Sequence, residues 1–111
     1  MIDTGGTKYD SGKLPLELLS PIALEQIALV LAFGASKYSE WNWSKGLRLM
    51  RLFGALLRHM FAWMRGETND PESGLPHLAH AGCCIMFMLH LSVTMPHMDD
   101  RPTQSMSIQE K

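Results

Sequence analysis

Residues 47–94 read LRLMRLFGALLRHMFAWMRGETNDPESGLPHLAHAGCCIMFMLHLSVT. Two long apolar runs at helical spacing flank a short polar segment that contains Asn, Asp, Pro and Gly. Gly66 predicts the end of the first run as a helix, and Pro76 predicts the start of the second. The stretch therefore predicts two helices, about 47–65 and 75–94, that are joined by an acidic loop.

A third helix is predicted upstream. Ser20 is a capping hydroxyl and Pro21 suits a first helical turn. Apolar residues then recur at helical spacing to about residue 35, and Gly34 marks the end. A short helical turn is expected near 16–19, and nothing predicts a strand. The fold class is all-α, with main helices at about 21–35, 47–65 and 75–94. Because 111 residues bury a core with little surplus, we expect oligomerisation to complete this small bundle.

Composition limits the possible partners. The predicted organisation is an extended arm at 1–13, one helical domain at 14–95 and a flexible tail at 96–111. A net charge of −1 argues against binding to a nucleic-acid polymer. The longest apolar run, 81–93, is shorter than the roughly 20 residues of a membrane span. Cys83 and Cys84 lie in that run and are interpreted as buried thiols in a reducing cytoplasm.

The segment 59–80 concentrates groups that bind metals. Its three histidines and three acids are His59, His77, His80, Glu67, Asp70 and Glu72. Carboxylate oxygens suit Mg²⁺ or Mn²⁺. Two other interpretations stay open: a zinc site of His77, His80 and Cys84 on one helix face, or histidines at the edge of the core. The acids also suit a turn before a helix.

Four arginines share one face of the helix at 47–65. At 100° per residue, this face carries Arg48, Arg51, Ala55, Arg58, Ala62 and Arg65. It is either a solvated surface or an anion-binding face, because arginine matches phosphate oxygens. The absence of acids from this helix favours the second interpretation somewhat.

Two further segments could contact a nucleotide-like ligand. The loop at 37–43 brings Lys37 and Tyr38 close to Asn42 and Trp43, which could bind a base, although it could equally be an aromatic plug over the core. In the arm, Lys13 follows a glycine and could approach phosphates.

The chain resembles a known family over residues 7–92. The motifs that carry the resemblance are Lys8-Tyr9-Asp10-Ser11-Gly12-Lys13, Leu18-Leu19-Ser20-Pro21-Ile22-Ala23-Leu24, Gly34-Ala35-Ser36-Lys37-Tyr38 with Asn42-Trp43, Arg58-His59-x-x-x-Trp63-x-x-Gly66-Glu67-x-x-Asp70 and Glu72-Ser73-Gly74-x-x-His77-Leu78-Ala79-His80-Ala81. The sequence resembles the N-terminal-domain type of the phage dATP/dGTP diphosphohydrolase family, which is distantly similar to all-α MazG-type nucleotide pyrophosphohydrolases.

The resemblance implies an oligomeric helical bundle in the host cytoplasm that hydrolyses dATP or dGTP to the monophosphate and pyrophosphate with Mg²⁺ or Mn²⁺. Combined with the residue chemistry, it predicts four groups of site residues, with His59 beside them. They are the catalytic pair Glu72 and His77, the metal ligands Glu67, Asp70 and His80, the phosphate-binding residues Lys13, Lys37, Arg51 and Arg58, and the base-binding residues Tyr38, Asn42 and Trp43.

One departure from the MazG pattern leaves other functions open. MazG-type enzymes carry Glu-x-x-Glu on one helix and Glu-x-x-Asp on the next. Here the helix at 47–65 has no acid, and the next helix has His77-x-x-His80 instead. The alternatives are an oligomer that binds a nucleotide without cleaving it, and a helical interaction protein without a small ligand.

Overall fold

The computed structural model of the chain describes residues 12–102. Three α-helices form the described part of the chain: α1 (Pro21–Lys37), α2 (Leu49–Met64) and α3 (His77–Thr94). Short 3-10 helices lie at Leu16–Leu18, Asn42–Lys45 and Pro96–Met98. Between residues 12 and 102 there is no strand, only an isolated antiparallel bridge from Asn69 to Pro76. The prediction of an all-α fold with three main helices is confirmed. Residues 1–11 of the predicted arm lie outside the described residues.

The start of α1 follows from its local sequence, but its end does not. Ser20 caps the helix, because its Oγ accepts the backbone N–H of Ala23 at 3.1 Å. The helix continues past Gly34 to Lys37. Gly34 keeps a helical conformation, and its carbonyl accepts the N–H of Tyr38 at 2.8 Å. A glycine in this conformation does not stop a helix.

α3 packs between the other two helices. Val30 of α1 forms one buried cluster with Ala79 and Cys83 of α3. Leu49 and Leu52 of α2 form a second cluster with Leu91, whose side chain is fully buried. The start of α2 therefore meets the end of α3, so these two helices are antiparallel.

The segment after α3 corrects one prediction. A flexible tail was expected from residue 96, but Pro96–Met98 forms a 3-10 helix, and Met98 packs against the cluster of Leu49, Leu52 and Leu91. Asp100 then accepts the N–H of Met50 at 3.0 Å. Apolar packing and this hydrogen bond hold the segment on the bundle. Residues 103–111 lie outside the described part of the chain.

The prediction of buried thiols in α3 is confirmed. Cys83 and Cys84 are both free and buried. Burial raises the pKa of Cys83 to about 12, with a contribution from Cys84 beside it. By length and composition alone, His77–Thr94 could cross a membrane. The same test is passed by core helices, and α3 contributes residues to both buried clusters.

Candidate functional site

The turn after α2 directs the chain back towards α3. Gly66 has a φ of +101°, which a glycine adopts without strain. Its N–H donates to the carbonyl of Trp63 at 3.0 Å, and the N–H of Glu67 donates to that of Ala62 at 3.0 Å. These two bonds form a Schellman motif that satisfies the last carbonyls of α2.

Backbone hydrogen bonds close the loop between α2 and α3. The N–H of Asp70 donates to the carbonyl of Leu75 at 2.8 Å, and the N–H of His77 donates to that of Thr68 at 2.9 Å. The N–H of Gly74 donates to the carbonyl of Asp70 at 2.7 Å. The loop therefore fixes the position of Asp70 at the start of α3.

Ser73 connects Asp70 to His80. Asp70 Oδ2 accepts the backbone N–H and the hydroxyl of Ser73, each at 3.0 Å. Ser73 Oγ lies 2.7 Å from Nε2 of His80 and accepts the N–H of Leu75 at 3.1 Å. Asp70 and His80 are largely buried, with side chains 17% and 13% exposed. The carboxylate and the imidazole are therefore held apart by one hydroxyl.

A second chain of contacts runs from Glu67 through His77 to His59. Nε2 of His77 lies 2.7 Å from Glu67 Oε1, and Nδ1 of His77 lies 2.9 Å from Nδ1 of His59. The side chain of His77 is only 4% exposed, whereas that of Glu67 is half-exposed. His77 therefore lies behind His59, with a partner at each ring nitrogen.

The two chains of contacts meet where His59 stacks on His80. The ring planes differ by only 6° and the centroids are 4.5 Å apart. Burial, and then the charge of His80, lower the pKa of His59. Burial also lowers the pKa of His80 more than Asp70 raises it. Both rings are therefore neutral near pH 7, which leaves each with one unprotonated nitrogen.

The carboxyl of Asp70 is biased towards its ionised form. Burial alone would raise its pKa, but hydrogen bonds from the backbone and hydroxyl of Ser73 and the charges of His80 and His59 hold the pKa below its ordinary value. An ionised carboxylate thus lies beside two neutral imidazoles.

These groups could hold a divalent cation. Among residues 12–102, ligand atoms of His59, Asp70 and His77 lie within 4.8 Å of one another. Of the expected ligands Asp70, His80 and Glu67, Asp70 belongs to this group, and the assignment of the other two stays a prediction. Imidazole nitrogens suit transition metals, whereas Mg²⁺ prefers oxygen ligands. The mixed donors therefore fit a metal such as Mn²⁺ better than Mg²⁺.

A cleft of about 1150 Å³ opens beside these histidines. Most of the residues that sequence analysis predicted for the site line it: Lys37, Tyr38, Asn42, Trp43, Arg51, His59, Asp70, Glu72 and His80. Four others do not: Lys13, Arg58, Glu67 and His77. Glu67 and His77 still reach the cleft indirectly, through the contact of His77 with His59.

Two cations line the cleft. Nζ of Lys37 donates to Glu72 Oε2 at 2.8 Å, and this bond to Glu72 raises the pKa of Lys37. Arg51 is exposed and also lines the cleft. Arg58 is exposed outside the cleft, although its charge helps to lower the pKa of His59. The arginine face of α2 is thus mainly a solvent-exposed surface with one member at the cleft.

The aromatic residues of the cleft divide into two kinds. Trp43 stacks on Phe87 of α3, with ring centroids 4.5 Å apart, and contacts His90 edge-on, with centroids 4.9 Å apart. These are the contacts of an aromatic plug over the core. Tyr38 and Trp41 are exposed, at 68% and 67%. Trp41 belongs to the loop that was predicted to bind a base, although the named base-binding residues did not include it, and it has a left-handed φ of 60°. This unusual conformation places a second exposed ring at the cleft.

Ser73 was also missed as a site residue. Its spacing of three from Asp70 was a usable signal, since Asp side chains often accept hydrogen bonds from residues two or three positions later. The zinc alternative gains no support among the described residues, because Cys84 does not join the group of His59, Asp70 and His77.

Comparison with known proteins identifies the family. The family model described as dATP/dGTP diphosphohydrolase, N-terminal, matches residues 3–101. A dATP/dGTP diphosphohydrolase of Salmonella phage PMBT28 is 43% identical over 96 residues, which cover 86% of this chain and 33% of that protein. The chain thus spans about a third of the length of this relative.

No solved structure matches the chain significantly. The likeness to MazG-type enzymes remains a prediction. The family match covers most of the sequence, and the phage relative supports it independently. This chain therefore belongs to the family of dATP/dGTP diphosphohydrolase N-terminal domains.

Proposed function

We propose that the cleft binds a purine deoxynucleoside triphosphate and hydrolyses it to the monophosphate and pyrophosphate with the help of a divalent cation. One observation carries this proposal. A single cleft gathers a carboxylate beside two imidazoles, the cations Lys37 and Arg51, and exposed aromatic rings. Each type of group matches one part of a nucleotide. The substrate class follows the name of the phage relative, a dATP/dGTP diphosphohydrolase.

The side chains of the cleft suggest how the substrate would be held. Lys37 and Arg51 would bind the phosphates, and Tyr38 or Trp41 would stack on the purine. Asn42 would form hydrogen bonds to the base. Asp70, with the nearby imidazoles, would hold the divalent cation, which would neutralise phosphate charge and favour an ionised water. Mn²⁺ fits these donors, and Mg²⁺ remains the alternative.

Glu72 is the proposed proton acceptor. It is bound to Lys37 in the structure. If Lys37 turned to the triphosphate, the carboxylate of Glu72 would be free to take a proton from the attacking water. The water oxygen would form a bond to the α-phosphorus while the bond from that phosphorus to the bridging oxygen breaks. Pyrophosphate would leave, and the proton would remain on Glu72.

Product analysis tests the proposal. The chain is incubated with dATP, dGTP, dCTP and dTTP in separate reactions with Mn²⁺ or Mg²⁺, and the products are separated by chromatography. We expect purine monophosphate and pyrophosphate, and at least a roughly 100-fold loss of rate in Asp70→Ala. Asp99→Ala is the matched control, because this carboxylate pairs with Arg101 outside the cleft. Equal loss in both variants would contradict the assignment of Asp70.

A second candidate is a nucleotide-binding module that does not cleave its ligand. Two of the three acids of the predicted site are already paired, Glu67 with His77 and Glu72 with Lys37. The chain also spans only a third of its phage relative, so chemistry could reside in the rest of such a protein. Calorimetry that shows binding, with the triphosphate recovered intact, would support this candidate. Neither binding nor turnover, with either metal, would exclude both candidates and favour a helical interaction protein.

A further inference from the structure

Trp41 combines two features that are each unfavourable for a tryptophan. It is 67% exposed to solvent, and its φ of 60° lies in the left-handed region that residues other than glycine rarely adopt. Such a conformation persists only where the surrounding structure determines it, and residues of this kind cluster at ligand-binding sites. Because Trp41 also lines the cleft, its ring is placed to contact a ligand there.

Hydrogen bonds of the loop fix the backbone at Trp41. The carbonyl of Trp41 accepts the hydroxyl of Ser44 at 2.6 Å and the backbone N–H of Ser44 at 3.0 Å. The N–H of Asn42 donates to the carbonyl of Ser39 at 3.3 Å, so the chain is held on both sides of Trp41. These bonds offset the cost of the left-handed conformation, and the backbone that carries the ring is therefore fixed before a ligand binds.

Trp41 is the exposed end of an aromatic column that begins in the core. Phe87 of α3 packs against both buried clusters, and Trp43 stacks on it with ring planes 18° apart. The ring of Trp41 follows, with its centroid 5.6 Å from that of Trp43 and the two planes 34° apart. Aromatic rings at this separation attract each other. A flat aromatic ligand that stacks on Trp41 would extend the column.

Tyr38, the other exposed ring, is less suited to stack on a base. Nζ of Lys37 lies over this ring, 5.5 Å from its centroid, in a cation–π contact. Lys37 is proposed to bind the phosphates, so a base on this face of Tyr38 would compete with the group that holds them. Among residues 12–102, no cation lies over the ring of Trp41 in this way.

We infer that Trp41 is the stacking platform for the base and that it selects purines over pyrimidines. This inference rests on the proposed function for the presence of a nucleotide, but not on its cleavage. Stacking depends on the ring face and not on the hydrogen-bonding edge, and the two fused rings of a purine cover more of an indole than a pyrimidine does. The amide of Asn42 carries both donors and an acceptor, so it can bond to either purine. Discrimination between adenine and guanine should therefore be small.

Binding of analogues that cannot be cleaved tests the inference apart from hydrolysis. The probes are dATP, dGTP, dCTP and dTTP analogues in which a methylene group replaces the oxygen between the α- and β-phosphorus. In calorimetry with the full chain and Mn²⁺, both purine analogues should bind several-fold more tightly than both pyrimidine analogues. Trp41→Leu should bind the purine analogues about 5- to 150-fold more weakly and lose most of the preference. No preference in the wild type, or an unchanged preference in Trp41→Leu, would overturn the inference.

Controls separate stacking from general damage to the cleft. Inorganic tripolyphosphate has no base and should bind Trp41→Leu as tightly as the wild type; an equal loss of tripolyphosphate and purine affinity would overturn a stacking role. Trp41→Phe keeps an aromatic ring and should retain most of the purine preference. Trp63→Leu removes a partly exposed indole of α2 outside the cleft and should bind as the wild type does. If Tyr38→Leu lost the preference and Trp41→Leu kept it, the platform would be Tyr38.

Tryptophan fluorescence reports the contact itself. The chain contains three tryptophans, Trp41, Trp43 and Trp63, and a base that stacks on an exposed indole quenches its emission. The dATP analogue should quench the wild type and Trp63→Phe, and should quench Trp41→Phe much less. Undiminished quenching in Trp41→Phe would overturn the inference. The expected binding without cleavage of dATP would leave the inference intact and count only against the proposed reaction, whereas no binding of any analogue would overturn both.

Discussion

His77 shows how the environment of one residue sets its role. As a histidine in an acidic, histidine-rich segment it was predicted to be catalytic. Its side chain is 4% exposed and has partners at both ring nitrogens. A buried ring with a partner at each nitrogen is placed to orient its neighbours, and the catalytic role of His77 stays a prediction. His59 and His80, by contrast, line the cleft, so their imidazoles are the ones that face it.

The lowered pKa values of His59 and His80 predict how stability depends on pH. Burial, the largest cause for both rings, keeps their pKa values in the folded chain below the ordinary value of 6.5. As the pH falls below about 6.5, the unfolded chain therefore takes up protons before the folded chain does. The free energy of unfolding should be fully retained well above that pH and should decrease as the pH falls through about 6.5 towards the lower pKa values of the folded chain. Urea unfolding at a series of pH values measures this free energy.

Substitution of the two rings identifies the groups responsible for this dependence. His59→Gln and His80→Gln should each flatten the fall in unfolding free energy between pH 7.5 and 5, and the double variant should flatten it further. Asp70 does not contribute to the change in unfolding free energy between pH 7.5 and 5. Its folded pKa is depressed below an ordinary value of 3.8, so its contribution is lost only at lower pH. A fall of undiminished size in the double variant would show that other groups cause it.

At the scale of elements, α2 depends on a distant residue for its N-terminal cap. Its N-cap residue, Arg48, makes no side-chain cap, and the first turn has no acid. Asp100 supplies both functions, because its Oδ1 accepts the N–H of Met50 at 3.0 Å and brings negative charge to the positive end of the helix. The 3-10 helix Pro96–Met98 thus leads the chain to a capping position.

Removal of this cap should destabilise the fold measurably. Asp100→Ala should lower the free energy of unfolding by about 1 kcal/mol, the usual value for a lost cap. Asp100→Asn, which keeps an acceptor but no charge, should fall between the wild type and Asp100→Ala. Denaturant unfolding monitored by circular dichroism measures all three. The neighbouring Asp99→Ala is the control, since its carboxylate only pairs with Arg101. If Asp99→Ala lowered the free energy of unfolding as much as Asp100→Ala does, loss of the cap would not be the cause.

Local signals predicted the elements well and the site only partly. Ser20-Pro21 and Gly66 act within a few residues, and both mark the helix ends that they predicted. The apolar spacing of α2 and α3 placed their ends to within two residues. By contrast, the contact of Lys37 with Glu72 spans 35 positions. Sequence grouped both residues with the nucleotide site, but no local pattern could show that they form a pair.

Residue chemistry also could not show which faces of α2 and α3 point towards the cleft and which point towards solvent. The arginine face of α2 could be solvated or could bind a ligand, and its arginines differ in whether they line the cleft. Arg51 lines the cleft, whereas Arg58 does not. The decision depends on how α1 lies along α3 and where the loop after α1 places its aromatic rings. These are tertiary contacts, which helical spacing alone does not specify.

At the scale of the whole molecule, the described part of the chain leaves much apolar surface exposed. On α3 an outward stripe consists of residues that are about half exposed or more: Leu78 at 49%, Ile85 at 52%, Leu89 at 67% and Val93 at 75%. α2 adds Phe53, Phe61 and Met64. The four residues on α3 share one face at helical spacing, and large exposed apolar patches often mark interaction sites. The oligomerisation that sequence analysis predicted would cover it.

We therefore predict that the chain self-associates through the outward stripe of α3. Burial of each large aliphatic side chain contributes about 1.5–3 kcal/mol, so a symmetric contact of two stripes would favour a dimer at micromolar concentration. Leu89→Glu places a charge in the stripe and should shift the chain towards monomer in light scattering after size exclusion, with its helix content unchanged by circular dichroism. Thr94→Glu puts the same charge at the end of α3, outside the stripe, and should remain associated. A monomeric wild-type chain, or equal dissociation of both variants, would refute an interface at this stripe.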